Sequence, residues 1–315
     1  MNRIFCGAVL CLSALPAGAQ SATPDAAVEP AADGALEATR ETVRETAVWL
    51  ARGVDSWFGD KPFVDGGSVR DGRLSLSILR RPPDDNSVSL RFNARFTLPN
   101  LRDTAYVFVG RDNPREVITD QPGAFTRAQR LQTETHDDTR FFAGIGLLLR
   151  ESTDLRVGFR GGLKPYVQLR YRQPIELGAR KLADFRQTFF WTVDDHLGST
   201  TAVSVERAVR ADLAVRWLTS GTVTQASKRL EVSSSLGAYQ LFGSQRLASL
   251  ELIATAAQHT GVGLTDYGLQ AKWQQPLHKD WLLGEVLVGH FWPRADQTVA
   301  RTPGWAAGAA LKLSF

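Results

Sequence analysis

The sequence predicts an all-β fold: a transmembrane, antiparallel, up-and-down β-barrel of about 14 strands, with about 12 as the alternative count, behind a short N-terminal helix. Three observations predict it. Apolar and polar residues alternate with period two from about Gly72 to the end, a period that belongs to strands rather than helices. The chain opens with a secretion signal. It ends on a bare Phe315 preceded at every second position by Leu313, Leu311, Ala309 and Ala307, whereas soluble domains usually close with a frayed polar tail.

The front of the chain comes first. Arg3 precedes an apolar stretch from Ile4 to Leu15, and Ala17-Gly18-Ala19 supplies a small-x-small site before Gln20. Residues 1–19 are therefore expected to be a signal peptide, absent from the mature protein. Both cysteines, Cys6 and Cys11, lie inside it, so the mature chain is expected to hold no thiol, no disulfide and no Cys-ligated metal. Residues 20–33 are rich in Ala, Pro and acids and are expected to form a flexible leader. From there Leu36, Val43, Leu50 and Trp57 recur every seven residues, with Ala47 and Val54 between them. This predicts an amphipathic helix over residues 34–60, closed by Gly59 and Pro62. After Leu15 no run of about 18 apolar residues follows, so no transmembrane helix is predicted. The net charge of +4 comes from dispersed rather than clustered basic residues, which speaks against a nucleic-acid surface.

The alternation predicts strands near 72–81, 86–98, 103–110, 139–150, 155–161, 164–173, 181–194, 199–208, 211–219, 228–241, 246–258, 262–275, 281–292 and 305–315. In VSLRFNARFTL, for example, Val88, Leu90, Phe92, Ala94, Phe96 and Leu98 share one face, and Arg91, Asn93 and Arg95 share the other. The connectors sort by side. PNLRD, ESTD, AVR, FGSQ and PLHKD, after even-numbered strands, are short; the 111–138 stretch, SGTVTQASK and PRADQTVARTPG, after odd-numbered strands, are long. Short turns at one end and longer loops at the other are how membrane barrels are built. A soluble β-sandwich would alternate too, but its polar face meets water and its apolar face another sheet. Here Trp191, Trp217, Trp273, Trp281, Trp292 and Trp305 fall near segment ends, as in the aromatic belts of membrane barrels.

The closing strand resembles the C-terminal signature of Gram-negative outer-membrane barrels, which implies a cell outer-membrane location and makes Phe315 a signal for the barrel-assembly machinery. More narrowly, LTDYGLQAKWQQPLHKDWLLGEV (264–286), FWPR (291–294), FRQTFFWTVDD (185–195) and TAYVFVGRD (104–112) resemble an uncharacterised proteobacterial family of outer-membrane barrels. The resemblance covers residues 70–315 and implies an architecture, with no activity or catalytic residue to carry over.

The inward faces carry the charge. Arg91, Arg95, Arg156, Arg160, Arg170, Arg172 and Arg186 are expected to form a basic wall; Glu206, Glu231, Glu251, Asp266 and Glu285 are expected to form an acidic one. Two readings stay open. The walls could set a transverse field across a constriction, or they could pair with each other as interior ion networks that hold the barrel. The first gives a narrow passive pore for small charged solutes. Its rival is a closed structural or assembly-linked barrel whose 36–58 helix docks a periplasmic partner or plugs the lumen. A lipid-acting hydrolase comes behind both: of His136, His196, His259, His278 and His290 only His196, in DDHLGS, has an acid and a Ser nearby, and the chain is not expected to be an enzyme. No cofactor or resident metal is expected; Asp137-Asp138 or Asp194-Asp195 would hold Ca²⁺ only with help from other loops. Outer-membrane lipid is the expected surrounding partner, nucleic acid is not, and the oligomeric state is left open.

Overall fold

The computed structural model describes residues 34, 36–42, 44–45, 68–82, 84, 86–97, 104–135, 138–243, 245–258, 262–279, 281–294 and 299–315. Residues 1–33, and with them the signal peptide and the leader, lie outside the described residues. So does the helix beyond residue 45. The chain divides into two compact units, 1–39 and 40–315. Residues 36–42 are helical (α1), as are 34, 44 and 45; the second unit holds the barrel.

Fourteen strands form one closed antiparallel cylinder in chain order, and the last pairs with the first. They are β1 (Ser68–Arg80), β2 (Ser87–Thr97), β3 (Ala105–Asp112), β4 (Arg140–Arg150), β5 (Thr153–Arg160), β6 (Lys164–Gly178) and β7 (Lys181–Thr192). The second half is β8 (His196–Ala208), β9 (Leu213–Thr224), β10 (Leu230–Phe242), β11 (Arg246–Gln258), β12 (Val262–His278), β13 (Leu282–Phe291) and β14 (Gly304–Ser314). The strand number matches the expectation; several boundaries shift, two of them by five residues. SGTVTQASK is not all connector, because β9 runs on to Thr224 and leaves only 225–229 for the turn. Its Thr222 and Thr224 are buried while Val223 is exposed, so the period-two pattern continues with hydroxyls where charges stood in other strands. Likewise β6 extends through Pro174 to Gly178.

Burial decides between a sandwich and a membrane barrel. In β11, Ser249 is 6% and Glu251 1% exposed, whereas Leu250 and Leu252 on the other face are 53% and 56% exposed. The same inversion recurs around the ring: Gln168, Thr188, Thr200, Ser233, Gln270 and Glu285 are buried, and Val167, Phe189, Trp217, Leu236, Leu269 and Val286 are exposed. Water on the outside would make that arrangement costly, since each buried apolar side chain is worth about 1.5–3 kcal/mol. Lipid on the outside removes the cost, and closure leaves no strand edge with unpaired backbone groups. The chain is an outer-membrane β-barrel.

The seam is made by the tail. Leu74, Leu76 and Ile78 of β1 lie opposite Leu313, Leu311 and Ala309 of β14. Beyond it the Phe315 N–H donates to the Gly72 carbonyl at 3.1 Å, and the Phe315 ring stacks on Phe92, with centroids 6.1 Å apart. The phenyl ring lies where a Cβ on residue 72 would be. Four of the six tryptophans, Trp191, Trp217, Trp273 and Trp305, are exposed on the outer wall. Trp281 is not a belt residue: it is 4% exposed and packs edge-on against His278.

Candidate functional site

The segment between β3 and β4, expected from the sequence as the long 111–138 connector, is folded inside the barrel. It starts with a one-turn helix, α2 (Pro114–Ile118), with Pro114 in the first turn and the Asn113 side chain accepting from the Arg115 N–H at 3.0 Å. The helix delivers Ile118 into a buried cluster with Tyr106, Phe108, Phe142, Tyr166 and Phe190 of β3, β4, β6 and β7. The Gln168 amide of β6 donates to the Val117 and Ile118 carbonyls at 3.1 and 2.7 Å, and Asp120 pairs with Arg170 at 3.1 Å. The far end is fixed on the other side. Leu131 is fully buried against Leu287 and Phe291 of β13, Ala306 of β14 and Leu79 of β1. β6 and β13 stand half-way round the ring from each other. A segment that touches both can only cross the interior.

Both ends carry backbone strain. Asp120 and Leu131 have φ of 52° and 50°, a left-handed conformation that costs a residue with a Cβ roughly 1–2 kcal/mol. Burial of Leu131, and the ion pair together with the Thr188 hydroxyl contact at 3.3 Å for Asp120, offset that cost where it arises. The aromatic cluster itself depends on glycine at neighbouring positions. A Cβ on Gly144 or Gly146 of β4 would run into the Phe108 or Tyr106 ring.

The predicted charged residues lie on one face of the ladder, the face the loop touches. Arg91 of β2 meets Glu134 at 2.7 Å, Asp112 at 3.3 Å and Glu116 at 3.4 Å. Arg156 pairs with Asp154 at 3.0 Å, and the Tyr106 hydroxyl accepts from Arg156 while donating to Asp154. Arg170 reaches Asp120 and Asp154; Arg172 and Arg186 share Asp184; Arg160 pairs with Asp194 at 2.8 Å. Arg95 faces the Tyr106 ring at 5.7 Å and has no carboxylate within ion-pair reach among the described residues. On the acidic side Glu231 pairs with Arg115 of the loop at 2.7 Å, Glu251 with Lys272 at 3.7 Å, Asp266 with Arg81 at 2.9 Å and Glu285 with Lys312 at 2.7 Å. Glu206 is exposed near the short-turn end. The two arcs do not meet. Arg95 and Glu206 apart, each is neutralised locally, by residues outside the two predicted walls.

Four of these partners, Arg115, Glu116, Asp120 and Glu134, are in the loop, which also brings Gln129 to Glu285 and Arg130 to Thr255. One signal was present. A connector of this length with no predicted element of its own is uncommon and tends to be functional, and this one carries Ile118 and Leu131 within a polar run. Burial pushes the Glu116 carboxyl up to about 7, Glu134 and Asp112 add to the shift, and Arg91 and the Arg127 N–H only partly oppose it. Burial also lowers the Arg130 guanidinium below its ordinary value.

The loop leaves three cavities. One of about 370 Å³ lies towards the short-turn end and is bordered by Arg73, Arg91, Arg216, Lys272 and Lys312 as well as Asp112, Glu134 and Glu285. A second of about 220 Å³ lies between Gln121, Arg130 and Gln132 of the loop and the hydroxyl-rich wall of β9–β12, with Ser220, Thr222, Ser233, Thr255 and Thr265. A third of about 320 Å³ adjoins it on the side of Arg115, Glu116 and Arg127. Consecutive cavities share lining residues: Gln132 joins the first two, and Gln121, Arg130, Thr222 and Glu231 join the last two. No group of three or more potential metal ligands occurs among the described residues. Of the histidines described, His196 opens β8, His278 closes β12, and His290 in β13 packs on Trp292 and Trp305.

No family model and no curated protein matches the chain. Among solved structures it is similar to the outer-membrane channel DcaP of Acinetobacter baumannii, with a TM-score of 0.48 and 10% identity over 80% of this chain and 98% of that one. It is also similar to a loop L8 deletion mutant of the outer-membrane protein OmpT of Vibrio cholerae, with a TM-score of 0.46 and 12% identity over 80% and 100% of the two chains. Against the KdgM porin the score is 0.36, with 8% identity over 77% and 99%.

Proposed function

We propose that the protein is a restricted passive channel for small charged solutes, and that the β3–β4 loop is its constriction. The observation that carries this reading is the string of cavities along the loop, from the one between β12–β14, β1 and β2 to the two against the β9–β12 wall. The opposite side of the interior, β3–β7, is filled by the aromatic cluster around Ile118, so the path runs along the other side, where Ser and Thr hydroxyls line the wall of β9–β12. Hydroxyls suit a permeation path because they exchange hydrogen bonds with a passing solute without holding it as a fixed charge does. With an even strand count both chain ends fall on one side, and the short turns make that side periplasmic. The loop then enters from the outer mouth. Local ion pairs neutralise Arg91, Arg156, Arg170, Glu231, Glu251 and Glu285, so the field of the constriction comes from cations outside those pairs, such as Arg95 and Arg130.

The test is uptake by proteoliposomes of solutes graded in size and charge. The expected outcome is passage of small ions and exclusion of neutral sugars larger than a monosaccharide. Vesicles impermeable to every solute would sink the reading. A second reading, a closed structural barrel, draws on the loop's attachment at both walls, and the same assay separates them. Within that reading, deleting residues 20–60 would remove a co-purifying partner if the N-terminal helix docks one.

A further inference from the structure

Inside the constriction, Arg130 stands apart from the ion pairs, as Arg95 does. Arg130 lies in the loop with Nη1 donating to the Thr255 hydroxyl at 3.1 Å, while its Nε is buried with no hydrogen-bond partner. The carboxylates in its field, Glu116, Glu231 and Asp266, belong to other cations, namely Arg91, Arg115 and Arg81. None is within 4.0 Å of Arg130 among the described residues. The cavity beside it holds about 220 Å³; Gln121, Ser220, Thr222 and Ser233 line it with Arg130 and Thr255, and so does Glu231, whose carboxylate Arg115 neutralises. The Ser220 hydroxyl is also buried without a partner. A buried cation with a free donor is costly, and a buried hydroxyl without a hydrogen bond adds to the cost. Both needs are met by one acceptor-rich anion.

We propose that the Arg130 pocket is a binding site for a small hydrophilic oxyanion, a carboxylate or a phosphate, and that it makes the channel anion-preferring; this rests on the reading of the interior as a permeation path. The Arg130 guanidinium and the hydroxyls of Ser220 and Ser233 supply the donors such an anion accepts from, and the one carboxylate on the wall, Glu231, is held by Arg115. The pocket has no aromatic wall, and its apolar lining is limited to Ala256 and Ala257, so it selects against aromatic acids. The deeper cavity continues the bias, with five cationic side chains against three carboxylates along its border.

The test is calorimetric titration of the full chain in detergent micelles with inorganic phosphate, succinate and benzoate, beside reversal-potential measurements in planar bilayers. Phosphate and succinate are expected to bind and benzoate not to. Arg130→Gln is expected to weaken binding about tenfold or more, the value of charge-assisted hydrogen bonds, and Arg130→Lys to retain part of it. Ser220→Ala, which leaves the loop's attachments alone, is expected to weaken binding by a smaller factor and serves if Arg130→Gln fails to assemble. Binding unchanged in Arg130→Gln, or absent from the wild type, overturns the site. Conductance without oxyanion binding overturns this inference and leaves the channel standing, whereas binding without conductance does the reverse.

Discussion

At the scale of single residues, the interior rests on pairings that neither sequence period displays. Arg91 is an inward residue of a well-formed alternating strand and could be placed from sequence. Its partners Glu116 and Glu134 could not, because they come from a loop whose path depends on tertiary contacts. That leaves Glu116 with an unusual charge state. A carboxyl raised to about 7 is neutral below that pH and charged above it, so acidification removes one negative charge beside Arg91 and makes the constriction more positive. The ratio of anion to cation permeability is therefore expected to rise between pH 8 and pH 6, and Glu116→Gln to abolish that dependence in reversal-potential measurements. Glycine supplies a second residue-scale test. Gly146→Ala sets a methyl group against the Tyr106 ring and is expected to cost about 1–3 kcal/mol, as overpacking does, in urea titrations of the vesicle-embedded barrel.

At the scale of elements, the strands were legible because the bilayer imposes one rule on all of them: apolar outward, polar inward. The rule yields the count of fourteen and the inward arginines. It fails where hydroxyls replace charges, as at Thr222 and Thr224 at the end of β9, since Ser and Thr read as turn residues in isolation. It is silent about the 113–139 loop, which has no period and is positioned by two apolar anchors and by ion pairs to strands distant in sequence. The anchors invite separate treatment. Leu131→Ala removes a fully buried side chain from a site whose backbone is already strained, at a cost of about 2–5 kcal/mol. It is expected to loosen that end of the loop, raising open-channel current noise and speeding proteolytic cleavage near residue 131, with the barrel's thermal midpoint little changed.

At the scale of the whole molecule, closure is what the tail accomplishes. The β1–β14 ladder removes the last open edges, and Phe315 caps it on the outer wall through Gly72 and Phe92. Phe315→Ala is expected to cost about 1 kcal/mol of stability, the value of an aromatic pair. Its effect on assembly should be larger: if Phe315 is the assembly signal, the variant accumulates unfolded in the periplasm while the detergent-refolded barrel stays intact. Normal outer-membrane levels would argue that Phe315 serves closure alone. The central claim concerns the interior, where the barrel supplies a wide cylinder and one loop narrows it. Single-channel conductance of the full chain should be compared with a variant in which residues 115–133 are replaced by a short Gly-Ser link. The account predicts a small, ion-preferring conductance for the full chain and a severalfold larger, weakly selective one for the variant. Equal conductances, or a full chain and a variant that both stay silent, would contradict it.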